Sequence, residues 1–304
     1  MKTRNQSYPS GVWAALAAVY IIWGSTYLAI RFAIETITPF FMAGSRFVAS
    51  GLLLYVFACW RGAARPTAVH WRSAAIVGFF LIFIGNGGVT WAEQRVPSVI
   101  VALLVGTVPL WITVLCWLGK GRSKPDWRQW IGIALGMAGI GLLVVSRDGL
   151  GAGSSDLWIW FLLVGTSLAW SYGSLYARSA PMPRSALMGI AMEMVIGGAL
   201  QLATGFFLME AGQFHWSAIT LSSMEAWVYL TFIGSLAGFT SYIWVLQKAT
   251  PALASTYAFV NPIIAVFLGW LLADESLTPS LIGAGALIVT SVVLIVLAQK
   301  NGQK

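Results

Sequence analysis

Charge is scarce in this chain. Only 9% of its 304 residues are Asp, Glu, Lys or Arg, while 58% are hydrophobic. Soluble domains carry about 25% charged residues, so the composition excludes a soluble fold and points to the bilayer as solvent. Histidine is scarcer still: His70 and His215 stand far apart, each in a loop stretch. Metal centres want clustered His, Cys, Asp or Glu, so neither a metal nor another cofactor is implied. No serine has a positioned base, and no glycine loop ending in lysine offers a phosphate cradle. The chain therefore does not read as an enzyme. Its two cysteines, Cys59 and Cys116, both sit in apolar runs, so no disulfide framework is expected. A cleavable leader is not expected either, because the first apolar run is about 22 residues long with no small-residue cleavage site after it.

What is present is long apolar runs. Ten of them, at 12–33, 40–60, 73–94, 98–118, 128–146, 157–178, 184–208, 223–247, 252–272 and 279–298, are each long enough to span a bilayer. The expected fold is all-α and integral to the membrane, with ten transmembrane helices. The connections are short and hold most of the basic residues. Alternate loops contain Lys2 and Arg4; Arg61, Arg65 and Arg72; Lys120, Arg122, Lys124 and Arg128; Arg178 and Arg184; Lys248; Lys300 and Lys304. The opposite loops hold only Arg31, Arg95 and Arg147, together with most of the acids. By the positive-inside rule both termini are cytoplasmic. The net charge of +8 is spread over short loops rather than one patch, so it concerns topology and lipid, not nucleic acid.

The two halves repeat. Trp23 and Arg31 share a spacing of eight with Trp170 and Arg178. Arg46 and Glu193 each precede a glycine, Gly51 and Gly198, by five positions. Helix four has Pro97 and Pro109 where helix nine has Pro251 and Pro262, and helices five and ten are both glycine-rich. Five spans per half is an odd number, so residues 1–148 and 149–304 would insert in opposite senses. Inverted repeats of this kind mark secondary transporters with a central cavity near the midplane. A buried cation costs about 2.5–3.5 kcal/mol in a membrane helix, so Arg46 is expected to face a partner or that cavity, the alternative being that it snorkels to the interface.

These residues resemble the EamA family of the drug/metabolite transporter superfamily. The cues are Tyr20-Ile-Ile-Trp23-Gly24-Ser25-Thr26-Tyr27, Arg46, Pro97 leading into helix four, and Pro251-Ala-Leu-Ala-Ser255 to Asn261-Pro262 with Glu275 closing helix nine. The resemblance covers nearly the whole chain. It implies two inverted five-helix repeats around a central cavity in the inner membrane and export of amino acids or related metabolites. A toxic organic-cation exporter of the same fold is the alternative, with a channel or scaffold behind it.

The residues expected to bind substrate are Trp23, Tyr27, Arg46, Asn86, Thr90, Trp170, Glu193, Phe239, Tyr242, Tyr257 and Asn261, with Pro109 and Pro262 as bending points. Residues three or four apart share a helix face, which groups Tyr20, Trp23 and Tyr27, and also Asn86, Thr90 and Glu93. Trp23, Tyr27, Tyr242 and Tyr257 would make an aromatic wall that suits apolar or cationic groups. Arg46 would hold a carboxylate, and Glu193 would load a proton. Glu93, Arg95 and Glu275, near helix ends, are expected to be solvated. Trp158, Trp160, Trp216 and Trp227 are expected in an interfacial belt. The glycines of helices five and ten are expected to make a packing face, within one chain or between two, so monomer and homodimer both stand. The partners expected are a small-molecule solute and the lipid bilayer.

Overall fold

The structure, a computed structural model, describes residues 10–119, 125–146, 157–213, 215–249 and 256–302. Lys2, Arg4, Lys120, Arg122, Lys124, Arg147, Asp148, Asp156, Pro251, Ala254, Ser255 and Lys304 lie outside the described residues. Helical segments that run on from one another are numbered here as one element. They are α1 (Ser10–Ala33), α2 (Pro39–Trp60), α3 (Ala68–Ala92), α4 (Ser98–Leu118), α5 (Trp127–Ser146), α6 (Leu157–Ala177), α7 (Ala186–Phe207), α8 (221–248), α9 (Tyr257–Leu272) and α10 (Pro279–Gly302). No strand occurs among the described residues. Seven of these helices, α1 to α5, α7 and α10, are long and apolar enough to cross a membrane. α9 is apolar but only 16 residues long. α6 carries Thr166, Ser167, Ser171, Tyr172 and Ser174, which dilute its hydropathy.

Local chemistry explains the helix ends. Pro39 and Pro279 open α2 and α10, where a missing N–H costs nothing. Ser185 caps α7 by accepting from the Met188 N–H at 3.3 Å, and Thr220 caps α8 by accepting from the Ser223 N–H at 3.2 Å. Two helices are irregular in matching places. α3 is π-helical over Phe79–Asn86, and α8 is π-helical over Leu230–Ala237. π turns inside α-helices concentrate at functional sites. α4 is broken at Gly106–Thr107 between Ser98–Val105 and Val108–Leu118, with Pro109 in the first turn of the second piece.

The closest packing is α2 on α7 and α5 on α10, both built on glycine. A Cβ on Gly198 would sit 2.9 Å from the Gly44 carbonyl oxygen, so these backbones touch directly. Gly132, Gly136 and Gly139 of α5 press on Ser291, Ile288, Ile295 and the Ala284 carbonyl of α10. These α5 glycines are therefore spent on packing within the chain, not on a face between two chains. The first piece of α4 is the innermost part of the bundle, buried at every position from Ser98 to Leu104. Trp160 is buried in the main core at 3% exposure, which corrects its expected belt position, and Trp227 is half-buried with its indole N–H donated to Ser45 Oγ. Trp158 and Trp216 are exposed.

One end of the bundle gathers the connections after α1, α3, α7 and α9, along with Glu35, Glu93, Glu210, Asp274 and Glu275. Hydrogen bonds across this acidic end tie the connections together, for example Glu210 to the Phe40 and Phe41 N–H groups.

Candidate functional site

Seven helices converge on one cavity of about 110 Å³. α1 brings Trp23, Thr26, Tyr27 and Ile30. α2 brings Arg46 and Phe47. α3 brings Asn86 from the end of its π segment, and Val89. α8 brings Gly234, Ser235 and Phe239. α9 brings Tyr257, Asn261 and Pro262. The break in α4 adds Gly106, and α6 adds Thr166, Ser167 and Trp170. The wall is mostly apolar with a few convergent polar groups, the general character of a small-molecule site.

Trp23 centres the aromatic wall. Its ring lies 5.2 Å from Phe239 and 5.2 Å from Tyr257, both edge-on, and 5.0 Å from Tyr242. Gly238 makes room for it, since a Cβ there would lie 2.6 Å from the indole nitrogen. On the next turn Thr26 donates its hydroxyl to the Trp23 carbonyl at 2.7 Å. Below it Tyr20 hydrogen-bonds Thr256, tying α1 to the start of α9.

Arg46 is the cation of the cavity. It is 2% exposed, donates Nη2 to Asn86 Oδ1 at 2.6 Å, and lies with its guanidinium 4.5 Å from the Phe47 ring centroid. Its Nε–H has no hydrogen-bond partner among the described residues. Asn261, buried on the other side, leaves its Oδ1 without one too. An orphaned buried donor and an orphaned buried acceptor in one cavity leave bonding capacity for a ligand or water.

Nine of the residues expected from the sequence line this cavity: Trp23, Tyr27, Arg46, Asn86, Trp170, Phe239, Tyr257, Asn261 and Pro262. Four do not. Thr90 is fully buried and turns its hydroxyl back to the Asn86 carbonyl at 3.0 Å. Tyr242 stands behind the wall, against Trp23 and, at 5.4 Å, Tyr257. Pro109 starts the second piece of α4, but Val105, Gly106 and Val108 are the α4 residues facing the space. Glu193 sits in the contact of α7 with α3, where its carbonyl oxygen would lie 2.6 Å from a Cβ on Gly78. Thr26, Phe47, Ser167 and the cavity glycines were not singled out from the sequence. Thr26 had a signal, three residues from Trp23 on the same face, whereas a glycine next to empty space has none.

The acidic end corrects a further expectation. Glu93 and Glu275 are not solvated; each is 6% exposed. Glu275 accepts from Arg31 at 2.5 Å, from the Ser98 N–H and hydroxyl at 2.9 Å and from the Val99 N–H at 3.0 Å, which caps α4. Arg95 is exposed, as expected, with its guanidinium 4.2 Å from the Trp91 ring centroid. No group of three or more metal-ligating side chains occurs among the described residues.

Comparison with known proteins agrees with this architecture. A model of the EamA-like transporter family matches residues 9–145 and 157–297. The inner membrane transporter YedA of Escherichia coli, itself called uncharacterized, is 38% identical over 289 residues, covering 95% of this chain and 91% of that one. The S-adenosylmethionine/S-adenosylhomocysteine transporter of Chlamydia trachomatis is 28% identical, covering 88% and 84%. A WAT1-related chloroplastic protein of Arabidopsis thaliana is 27% identical, covering 91% and 67%. One solved crystal structure, 19% identical, has the same fold with a TM-score of 0.64 over 97% of this chain and 99% of its own.

Proposed function

We propose, from the premise that this chain belongs to the EamA-like transporter family, that it is a secondary transporter exporting amino acids or related small metabolites across the inner membrane by alternating access. The observation that carries the reading is the buried guanidinium of Arg46, which lines a largely apolar, aromatic cavity and whose Nε–H has no hydrogen-bond partner among the described residues. A solute carboxylate would dock on Arg46, because charge-assisted bonds are the strong ones in a dry site. Its side chain would lie against Trp23, Phe239, Tyr257 and Trp170.

The reading keeps ten spans, two inverted repeats over 1–148 and 149–304, and both termini in the cytoplasm. The two separate family matches support it. So do the paired π segments of α3 and α8 and the packing pairs. α1 with α8 answers α6 with α3, and α1 with α9 answers α6 with α4. Alternating access would use the break in α4 and Pro262 in α9. They meet there, since a Cβ on Gly106 would be 2.7 Å from the Pro262 ring.

The name of the Chlamydia relative favours solutes that carry an amino-acid end. A toxic-cation exporter is the second reading, favoured by the Trp23, Phe239 and Tyr257 rings, which suit a cation at a π face.

The test is counterflow in proteoliposomes with labelled L-phenylalanine, L-methionine and tetraphenylphosphonium. Saturable exchange of an amino acid that is lost in Arg46→Gln supports the reading. Exchange of the organic cation alone, unaffected by Arg46→Gln, overturns it in favour of the second.

A further inference from the structure

Three acids are buried at the acidic end, and they are held differently. Glu275 spends both oxygens on N–H groups at the start of α4, and Glu210 does the same at the start of α2. Helix N-termini favour an anion, so both sites are built for charge. Glu93 has the opposite setting. It follows the last residue of α3, at the helix C-terminus, where the dipole disfavours an anion. It is 6% exposed, and neither of its oxygens accepts a hydrogen bond among the described residues.

The charged and titratable groups within its electrostatic reach are Arg31 and Tyr27 of α1, Arg46 of α2 and Glu275 after α9. Arg31 is engaged by Glu275 and Arg46 by Asn86. An ionised carboxylate in that position carries a desolvation penalty that protonation removes.

Its place in the fold gives this group a task. Glu93 lines a second pocket, open at the acidic end, with Arg31, Glu35, Gln94 and Arg95. Val89, one helical turn earlier on the same face of α3, lines the central cavity. Glu93 therefore stands between the two spaces. A metal cation there would need several oxygen ligands, and no group of three ligating side chains occurs among the described residues.

We propose that Glu93 is a proton-exchange site on the route between the outer pocket and the central cavity. This rests on the transporter reading above. In each cycle one O–H bond forms on Glu93 as one breaks in a hydronium of the outer pocket. The proton then passes to water in the cavity and the carboxylate is restored.

Two experiments on the full-length protein test it. Infrared spectra of the purified protein at neutral pH should show a protonated-carboxyl band that Glu93→Gln loses and that Glu93→Asp and Glu193→Gln retain. A Glu93→Gln spectrum identical to wild type overturns the proposal without reference to any solute. In proteoliposomes with labelled L-phenylalanine, Glu93→Gln should lose accumulation driven by a pH gradient but keep counterflow at equal pH. Gradient-driven accumulation equal to wild type overturns the proposal. If wild type shows no counterflow of any probe, the transporter reading fails, and the infrared result alone then decides whether Glu93 holds a proton.

Discussion

Replacing Glu275 by alanine separates two contributions that meet on one carboxylate. Oε1 takes the Arg31 guanidinium and the Ser98 N–H and hydroxyl, while Oε2 takes the Val99 N–H. The Arg31 side chain is 36% exposed, so water already screens that ion pair. Such pairs contribute about 0–1 kcal/mol. The Ser98 and Val99 N–H groups are buried at the start of the innermost helix, and orphaning a buried donor costs about 1–3 kcal/mol. The cap therefore outweighs the ion pair. Glu275→Ala should cost about 2–6 kcal/mol from its two lost backbone bonds, and Arg31→Ala about 1 kcal/mol or less. Taking 2–4 °C per kcal/mol for chains of roughly this size, a loss of about 3 kcal/mol lowers Tm by about 6–12 °C. Scanning fluorimetry of the tryptophans in detergent reads this directly. Glu275→Gln, which keeps one acceptor oxygen, should fall between. Equal Tm shifts for Glu275→Ala and Arg31→Ala would refute the reasoning, because the ion pair would then account for the whole loss and the cap for none of it.

Two further outcomes follow from the site. Asn86→Leu removes the side-chain acceptor that Arg46 uses, and hydrogen bonds to charged groups contribute about 1.5–3 kcal/mol. Tm should fall accordingly and counterflow should be lost, whereas a variant with wild-type Tm would show that Arg46 finds another acceptor. Gly106→Val would place a Cβ 2.7 Å from Pro262 Cγ, and overpacking of this kind costs about 1–3 kcal/mol. Counterflow at saturating L-phenylalanine should slow, with Gly106→Ala milder; an unchanged rate would detach the break in α4 from transport.

The helices were legible because hydrophobic runs and loop charges are local properties. The expected limits 98–118 and 128–146 differ from α4 and α5 by at most one residue. Arg46 was legible for a similar reason: a cation deep in an apolar run must find a polar setting whatever surrounds it. Thr90 was placed by ideal helical spacing from Asn86, but its hydroxyl returns to its own helix and α3 is π-helical up to Asn86. Glu193 has the depth and the chemistry of a cavity residue. Which face of α7 meets α3 is set by Gly78, Gly197 and their neighbours, and that was not readable from α7 alone.

The acids at the helix ends show where sequence reading stopped. Proximity to a loop says that Glu93 and Glu275 are near water in the chain's own direction, but burial depends on what the other helices bring. Glu275 reaches a helix start 177 residues away, and Glu93 ends at a helix C-terminus where no described group donates to it. The membrane setting, the apolar helices and the depth of Arg46 in one of them were determined by the sequence alone, since each follows from the free energy of moving a short segment into lipid. Which carboxylate is capped and which is bare was decided only by the tertiary structure, because a hydrogen bond needs two groups within 3 Å or so and only folding brings distant segments that close.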